Sequence, residues 1–258
     1  MLERPSWCRA TQVHTCSQPR PRVIAFFVHI PKTGGSSIDA FFCQDARFAN
    51  SSNGIQYHTS RHSLRRVLAA LSTHLQSGTQ PASDMYVSLH GGFEPSWIEV
   101  SSQLVAIRSR LRAAGMTSAI FTLLREPRAW LESAHAYYHV SPKSSRPNPQ
   151  CHYLMHGWSG FPYRGASVPS HENGTRVLRT LQLMDWVGTL ESFNRTWSWL
   201  HHHLGMCGEP TRANVGRRSV SKPALFPNQD RLPTSTEIDE MLYSYAASPR
   251  RASTSLNL

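Results

Sequence analysis

Three apolar runs of strand length, each followed by a turn and then by residues at helical spacing, predict an α/β fold, with a parallel sheet flanked by helices on both faces. The first run, PRVIAFFVHI, is continuously apolar from Val23 to Val28 rather than alternating, as suits a strand covered on both sides. The second observation is the order, strand then helix three times over, which joins parallel neighbours through crossovers. The third is size: 258 residues at 40% hydrophobic and 17% charged can bury one large core and do not read as a disordered chain. In open sheets of this kind ligands bind beyond the carboxyl ends of the strands, so the residues after each run carry the functional argument.

Residues 1–22 read as an irregular lead-in, and the apolar run then enters PKTGGSS, a turn with two glycines, before IDAFF starts an amphipathic helix. Over 60–76, Leu64, Val67, Leu68 and Leu71 fall at helical spacing, and a polar SGTQPASD loop leads to the second strand, MYVSLH, ending at His90. Trp97, Val100, Leu104, Ile107 and Leu111 mark a helix over 96–113, and SAIFTLL (118–124) is the third strand. Pro127, suited to the first position of a helix, opens RAWLESAHAYYH. Residues 141–175, rich in Pro, Ser, Gly and His, read as a long surface excursion. Helical periodicity returns in TRVLRTLQLM and SFNRTWSWLHHHLG; 208–235 is loop, TEIDEMLYSYA a last short helix, and 248–258 a frayed tail. One domain over 23–247 is expected, with no internal repeat.

Charge narrows the partners without choosing one. Lys and Arg total 27 against 16 Asp and Glu, a net charge of +11, with the arginines spread among apolar and acidic residues and not in blocks. Such a surface suits a polyanion (nucleic acid, anionic lipid or acidic glycan) or is simply solvated. The longest apolar run, Val23 to Ile30, is interrupted by His29 and falls far short of the ~20 residues of a membrane helix. The first residues lack the apolar core of a secretory signal, so the chain as written reads as soluble, or as the catalytic part of one whose anchor lies outside it. Five cysteines form no CxxC pair, which disfavours a zinc site. Cys151 and Cys207 both sit in loop-like sequence, which leaves open a bridge between them in an oxidising compartment. Sequons at Asn50, Asn173 and Asn194 permit a secretory location without establishing it.

The carboxyl end of the first strand delivers Lys32, Thr33, Gly34, Gly35, Ser36 and Ser37 to a helix start. Two glycines let backbone N–H groups turn toward one point, the helix N-terminus adds partial positive charge, and Lys32 adds a full one. This is an anion-binding loop. It is not a Walker A motif, in which the lysine follows the second glycine. Magnesium-dependent phosphoryl transfer also wants an acid at the end of a neighbouring strand, where this chain has Arg125; Glu126, beside two arginines, is a poor metal ligand, so a metal-free anion site fits better. Ser133 lies less than two turns into the helix from Pro127, roughly 9 Å along its axis, so that Arg125 and Ser133 are placed to meet on one phosphate. Two anion subsites suit a nucleotide with phosphates on both its 5′ and 3′ sides.

HIPKTGGSS, TLLREPRAWLESAHAYY and VGTLESFNRTWSWLHHHLG together resemble the motifs of sulfotransferases that use 3′-phosphoadenosine 5′-phosphosulfate (PAPS), in particular the Golgi carbohydrate enzymes of the heparan sulfate 2-O- and 6-O-sulfotransferase-like group. The likeness runs from about residue 23 to 247. It implies a P-loop-like parallel sheet in three α/β/α layers, with Lys32 through Ser37 on the 5′-phosphosulfate and Arg125 with Ser133 on the 3′-phosphate. It implies also that Asn214 to Ser219, with Arg217 and Arg218, form a loop closing over the nucleotide, and that the Leu-His after the second strand makes His90 the catalytic base. His90 is followed by Gly91-Gly92, which leaves room for a ligand; His135 and His139 are its rivals, and His201, His202 and His203 cannot all face one site.

The resemblance thus implies in-line sulfuryl transfer to a hydroxyl, with Lys32 on the leaving nucleotide, no metal, and a location in the Golgi lumen or on its membrane. The acceptor it points to is a carbohydrate, with acidic glycan suiting the basic surface, and neither a nucleic-acid partner nor a membrane span is expected. Trp158, Phe161 and Tyr163 serve either as a sugar-stacking edge or as pins holding their loop to the core. Three rivals stand beside this reading: a P-loop nucleotide kinase, a polyanion- or nucleotide-binding module without chemistry, and a degenerate sulfotransferase that keeps only nucleotide affinity.

Overall fold

The computed structural model describes residues 13–15, 20–49, 55–57, 61–90, 96–138, 147–157, 168–208 and 236–248. Five strands, β1 (Val23–His29), β2 (Ile55–Tyr57), β3 (Met85–His90), β4 (Thr117–Leu124) and β5 (Trp186–Thr189), form an all-parallel sheet in the order β2-β3-β1-β4-β5. Nine helices lie among the described residues: α1 (Gly35–Gln44), α2 (Ala46–Ala49), α3 (Arg61–Gln76), α4 (Trp97–Ala113), α5 (Pro127–Tyr138), α6 (Pro149–His156), α7 (His171–Leu181), α8 (Phe193–Leu204) and α9 (Glu237–Ala247). The expected α/β class with helices on both faces is what the chain adopts.

Alternation along β1 builds the two halves of the core. Every residue of β1 is buried. Ile24, Phe26 and Val28 pack with residues of α3, α4, α6, α7 and α9, whereas Val23, Ala25 and Phe27 pack with residues of α1, α2 and α8. The second half is aromatic: Phe27 stacks on Phe121 at 4.9 Å between ring centres and Phe42 on Tyr86 at 3.8 Å. Each such ring removed from water contributes about 2 kcal/mol. α4 starts with a capping box, Ser96 and Glu99 each bonding the other's backbone N–H. Asp185 accepts from Arg108, Arg112 and the N–H of Ile120, so two of the arginines counted as basic surface serve to tie α4 to the sheet.

Several expectations change. β2 and β5 add to the three strands read from the sequence; β5 is only four residues long and contains Gly188, where an added Cβ would come 2.2 Å from Thr196 Oγ1 of α8. The excursion over 141–175 is not a loop throughout: α6 lies within it, and Gln150, Cys151, His152, Tyr153 and Leu154 are all buried. The helix is held from a distance. Asp239 of α9 accepts the N–H groups of Gln150 and Cys151, and Asn148 in return accepts those of Ile238 and Asp239. A Cys151–Cys207 bridge is excluded, because Cys151 is a buried free thiol inside α6, while Cys43 and Cys207 are both disulfide-bonded. Among the described residues no helix is long and apolar enough to cross a membrane.

Candidate functional site: the loop after β1 and the start of α5

The strand order fixes where a site can form. From β1 the chain leaves toward the β2 edge, and from β4 it leaves toward the β5 edge, so connections from two adjacent strands diverge at their carboxyl ends. That divergence opens a crevice. Val28 pairs in register with Thr122, which sets Ile30 level with Leu124 and brings the residues just beyond them, Lys32 and Arg125, to the mouth of the crevice.

The loop from 30 to 35 is shaped by what its carbonyls do. Those of Ile30, Pro31 and Lys32 each accept a side-chain donor: Thr33 Oγ1 at 2.8 Å, Trp130 Nε1 at 2.7 Å and Arg125 Nη1 at 3.2 Å. Three successive acceptors are thereby satisfied within the protein. Lys32 takes a left-handed φ of 65°, and Gly34 one of 90°. At Gly34 an added Cβ would lie 2.6 Å from Leu190, and at Gly35 one would fall 2.0 Å from Nε2 of His29, so both glycines are required by close approach. Gly34 is the N-cap of α1, with no side-chain cap and no acidic residue in the first turn. No carboxylate of the first turn offsets the partial positive charge of the helix start, the arrangement that attracts an anion.

Helix α5 forms the other wall. Glu126 caps it, accepting from the N–H groups of Arg128 and Ala129, which commits both carboxylate oxygens to the helix start. Trp130, Ser133 and Tyr137 follow at i, i+3 and i+7 and share one face. Trp130 reaches Pro31 at one end of this stripe, and Tyr137 meets Lys32 at the other, with Nζ 3.8 Å from the centre of the ring. Ser133, half-buried, falls between them along the helix, on the same face of α5, while the hydrogen bond from Arg125 to the Lys32 carbonyl joins Lys32 to Arg125. Burial lowers the Lys32 ammonium below the ordinary lysine range, and the neighbouring Arg125 charge lowers it further. Burial also lowers Arg125, opposed by Glu191, Glu132 and Glu126. Arg125 is held in place by Gln150, which accepts from its N–H at 2.9 Å and donates to its carbonyl at 2.8 Å, while its Nε is buried without a hydrogen-bond partner.

Of the remaining expected residues, Thr33 is fully buried and structural, Ser36 is half-buried, and Ser37 is buried, its N–H closing a turn onto the Gly34 carbonyl at 2.9 Å. His90 ends β3 in register with His29, at the same end of the sheet as the loop; its side chain lies outside the described residues. His135 is 2% exposed, and His201, His202 and His203 are exposed on α8, away from the loop's contacts. His139, Asn214, Arg217, Arg218, Gly91-Gly92, Trp158, Phe161 and Tyr163 lie outside the described residues.

Sequence reasoning missed two participants. Tyr137 was legible only through the helical phase it shares with Trp130 and Ser133. His29, passed over as a break in an apolar strand, sits under the loop with Nδ1 3.3 Å from Asp39 Oδ2, and Tyr86 donates to the other oxygen of Asp39 at 2.5 Å. This buried trio supports Gly35 from below. No protein-family model matches the chain, and no curated protein matches it significantly.

Proposed function

We propose that this protein is a sulfotransferase that takes its sulfuryl group from PAPS and delivers it to a carbohydrate hydroxyl, in the manner its motifs resemble. The observation that carries the reading is the hydrogen bond from Arg125 to the Lys32 carbonyl, which brings two cationic positions far apart in sequence together at the carboxyl ends of β1 and β4. The donors fit a doubly phosphorylated nucleotide. The start of α1 carries no capping side chain, Arg125 Nε is a buried orphan, and Lys32 has no carboxylate partner among the described residues. A kinase reading is weaker, because the position that would hold a metal-binding acid carries Arg125 and the adjacent Glu126 is committed to capping α5.

PAPS supplies a sulfuryl group activated by a phosphate leaving group. Lys32 and the N–H groups at the start of α1 would stabilise the negative charge that grows on the bridging oxygen as the sulfur–oxygen bond breaks. Arg125 and Ser133 would hold the 3′-phosphate. His90 would accept the proton of the acceptor hydroxyl as its oxygen bonds to sulfur, leaving 3′,5′-adenosine bisphosphate and a sulfate ester. The two half-cystines suit an oxidising lumen, in line with a Golgi location.

Isothermal titration with 3′,5′-adenosine bisphosphate in the presence of a chelator is expected to give one site per chain, and labelled PAPS is expected to pass label to a glycan acceptor. Binding of ATP with magnesium in preference to the bisphosphate would support the kinase instead. Nucleotide affinity without label transfer to any glycan tried would point to the degenerate form.

A further inference from the structure

We propose that Tyr137 is a positioning residue for Lys32: its ring face holds the lysine ammonium at the mouth of the anion site and keeps it unneutralised. The inference rests on the anion-site reading of the β1 loop and adds a residue to it. Only three lysines occur in the chain, Lys32, Lys143 and Lys222, against a majority of arginines, so the cation beside this loop is of an uncommon kind here. It stands on a left-handed backbone with its carbonyl bound by Arg125, which leaves the side chain to be directed by its own contacts. The contact it makes is aromatic, with Nζ 3.8 Å from the ring centre of Tyr137. Tyr138 stands edge-on behind that ring, 4.9 Å away and at 87° to it, bracing its orientation.

A half-buried ammonium needs compensation. A carboxylate would supply it at the cost of cancelling the charge that an incoming phosphate must find. The π face attracts the cation through its quadrupole and carries no net charge, so the site stays electropositive. The i+7 spacing from Trp130, which fixes Pro31, means that one helix face sets both the loop and the lysine that projects from it. Tyr137 is 63% exposed, so replacing it leaves the core intact.

The test compares Tyr137→Phe, which keeps the ring, with Tyr137→Leu, which keeps bulk without the quadrupole. The probe is 3′,5′-adenosine bisphosphate, titrated calorimetrically, alongside the side-chain resonances of ¹³C-lysine-labelled protein without ligand, assigned by Lys→Arg substitution at positions 143 and 222. The expected result is an upfield-shifted Lys32 ε-methylene in wild type and Tyr137→Phe that is lost in Tyr137→Leu. The phenylalanine variant should hold its Kd within about twofold, and the leucine variant should weaken by about five- to tenfold with an unchanged unfolding midpoint. Wild-type affinity in Tyr137→Leu, or equal weakening in both variants, would overturn the proposal. If wild type fails to bind the bisphosphate, the nucleotide reading falls by itself. Inorganic pyrophosphate then takes its place as probe, with the same pattern supporting the role of Tyr137 and a flat response refuting it.

Discussion

Lys32 occupies a backbone region that a residue with a side chain enters only when its surroundings hold it there, at a cost of about 1 kcal/mol or more. Arg125, Trp130 and Thr33 do the holding, and the ammonium is thereby fixed at the crevice. In the proposed reaction, Lys32→Ala should lower turnover with PAPS on the order of 100-fold, by analogy with lost oxyanion donors, in a label-transfer assay. Because Arg125 also binds the Lys32 carbonyl, losses from Lys32→Ala and Arg125→Ala should fall short of adding in the double variant. Gly35→Ala makes a separate case. Its methyl would overlap the His29 ring, itself held against Asp39, so a loss of about 1–3 kcal/mol is expected in urea unfolding. Unchanged stability would mean that the ring moves aside freely. At this scale much was legible: the paired glycines and Pro127 are local signals. The aromatic seat of Lys32 was not, since it arises from the approach of α5 to a loop about a hundred residues earlier in the chain.

Among the elements, α6 is the instructive case. Its eight residues carry no amphipathic period, because Gln150, Cys151, His152, Tyr153 and Leu154 are buried together, and its start is capped from α9. Nothing local announces such a helix, whereas α3 and α4, each with an apolar stripe facing the sheet, were readable over nearly their full lengths. β5 was unreadable for a related reason: four residues with a glycine among them make too short a pattern. The Asp239 cap carries a pH signature. Complete burial pushes its carboxyl up to about 7, against the two N–H donors that pull it down. The native state then holds a proton that the unfolded chain releases near the ordinary aspartate value. The resulting stabilisation is complete at pH below about 4 and is lost as the pH rises through about 7. The urea midpoint of wild type should therefore fall relative to that of Asp239→Asn over this window; parallel profiles would show that the carboxyl titrates normally. The same interhelix caps place Gln150 on Arg125, so an acid and an amide remote from the crevice set the position of its arginine.

For the molecule as a whole, the sheet order determines both where the crevice opens and which layer carries it. The loop belongs to the layer of α1, α2 and α8, and so do the two cystine positions, Cys43 within α1 and Cys207 just after α8. The opposite layer, α3, α4, α6, α7 and α9, contains among its described residues only the free Cys151 and relies on packing and caps. Reduction should lower the thermal midpoint by the equivalent of about 2–4 kcal/mol, measured calorimetrically with and without dithiothreitol, and an unmoved midpoint would count against a structural role for the cystines. The loss would not be shared evenly. Under reducing conditions amide hydrogen exchange should quicken first along α1 and α8 while α4 and α7 stay protected, because among the described residues the half-cystines lie in or beside α1 and α8. Under the proposed function the grip on phosphate would then slacken, and the redox poise of the compartment would act as a remote control on how firmly the proposed nucleotide is held.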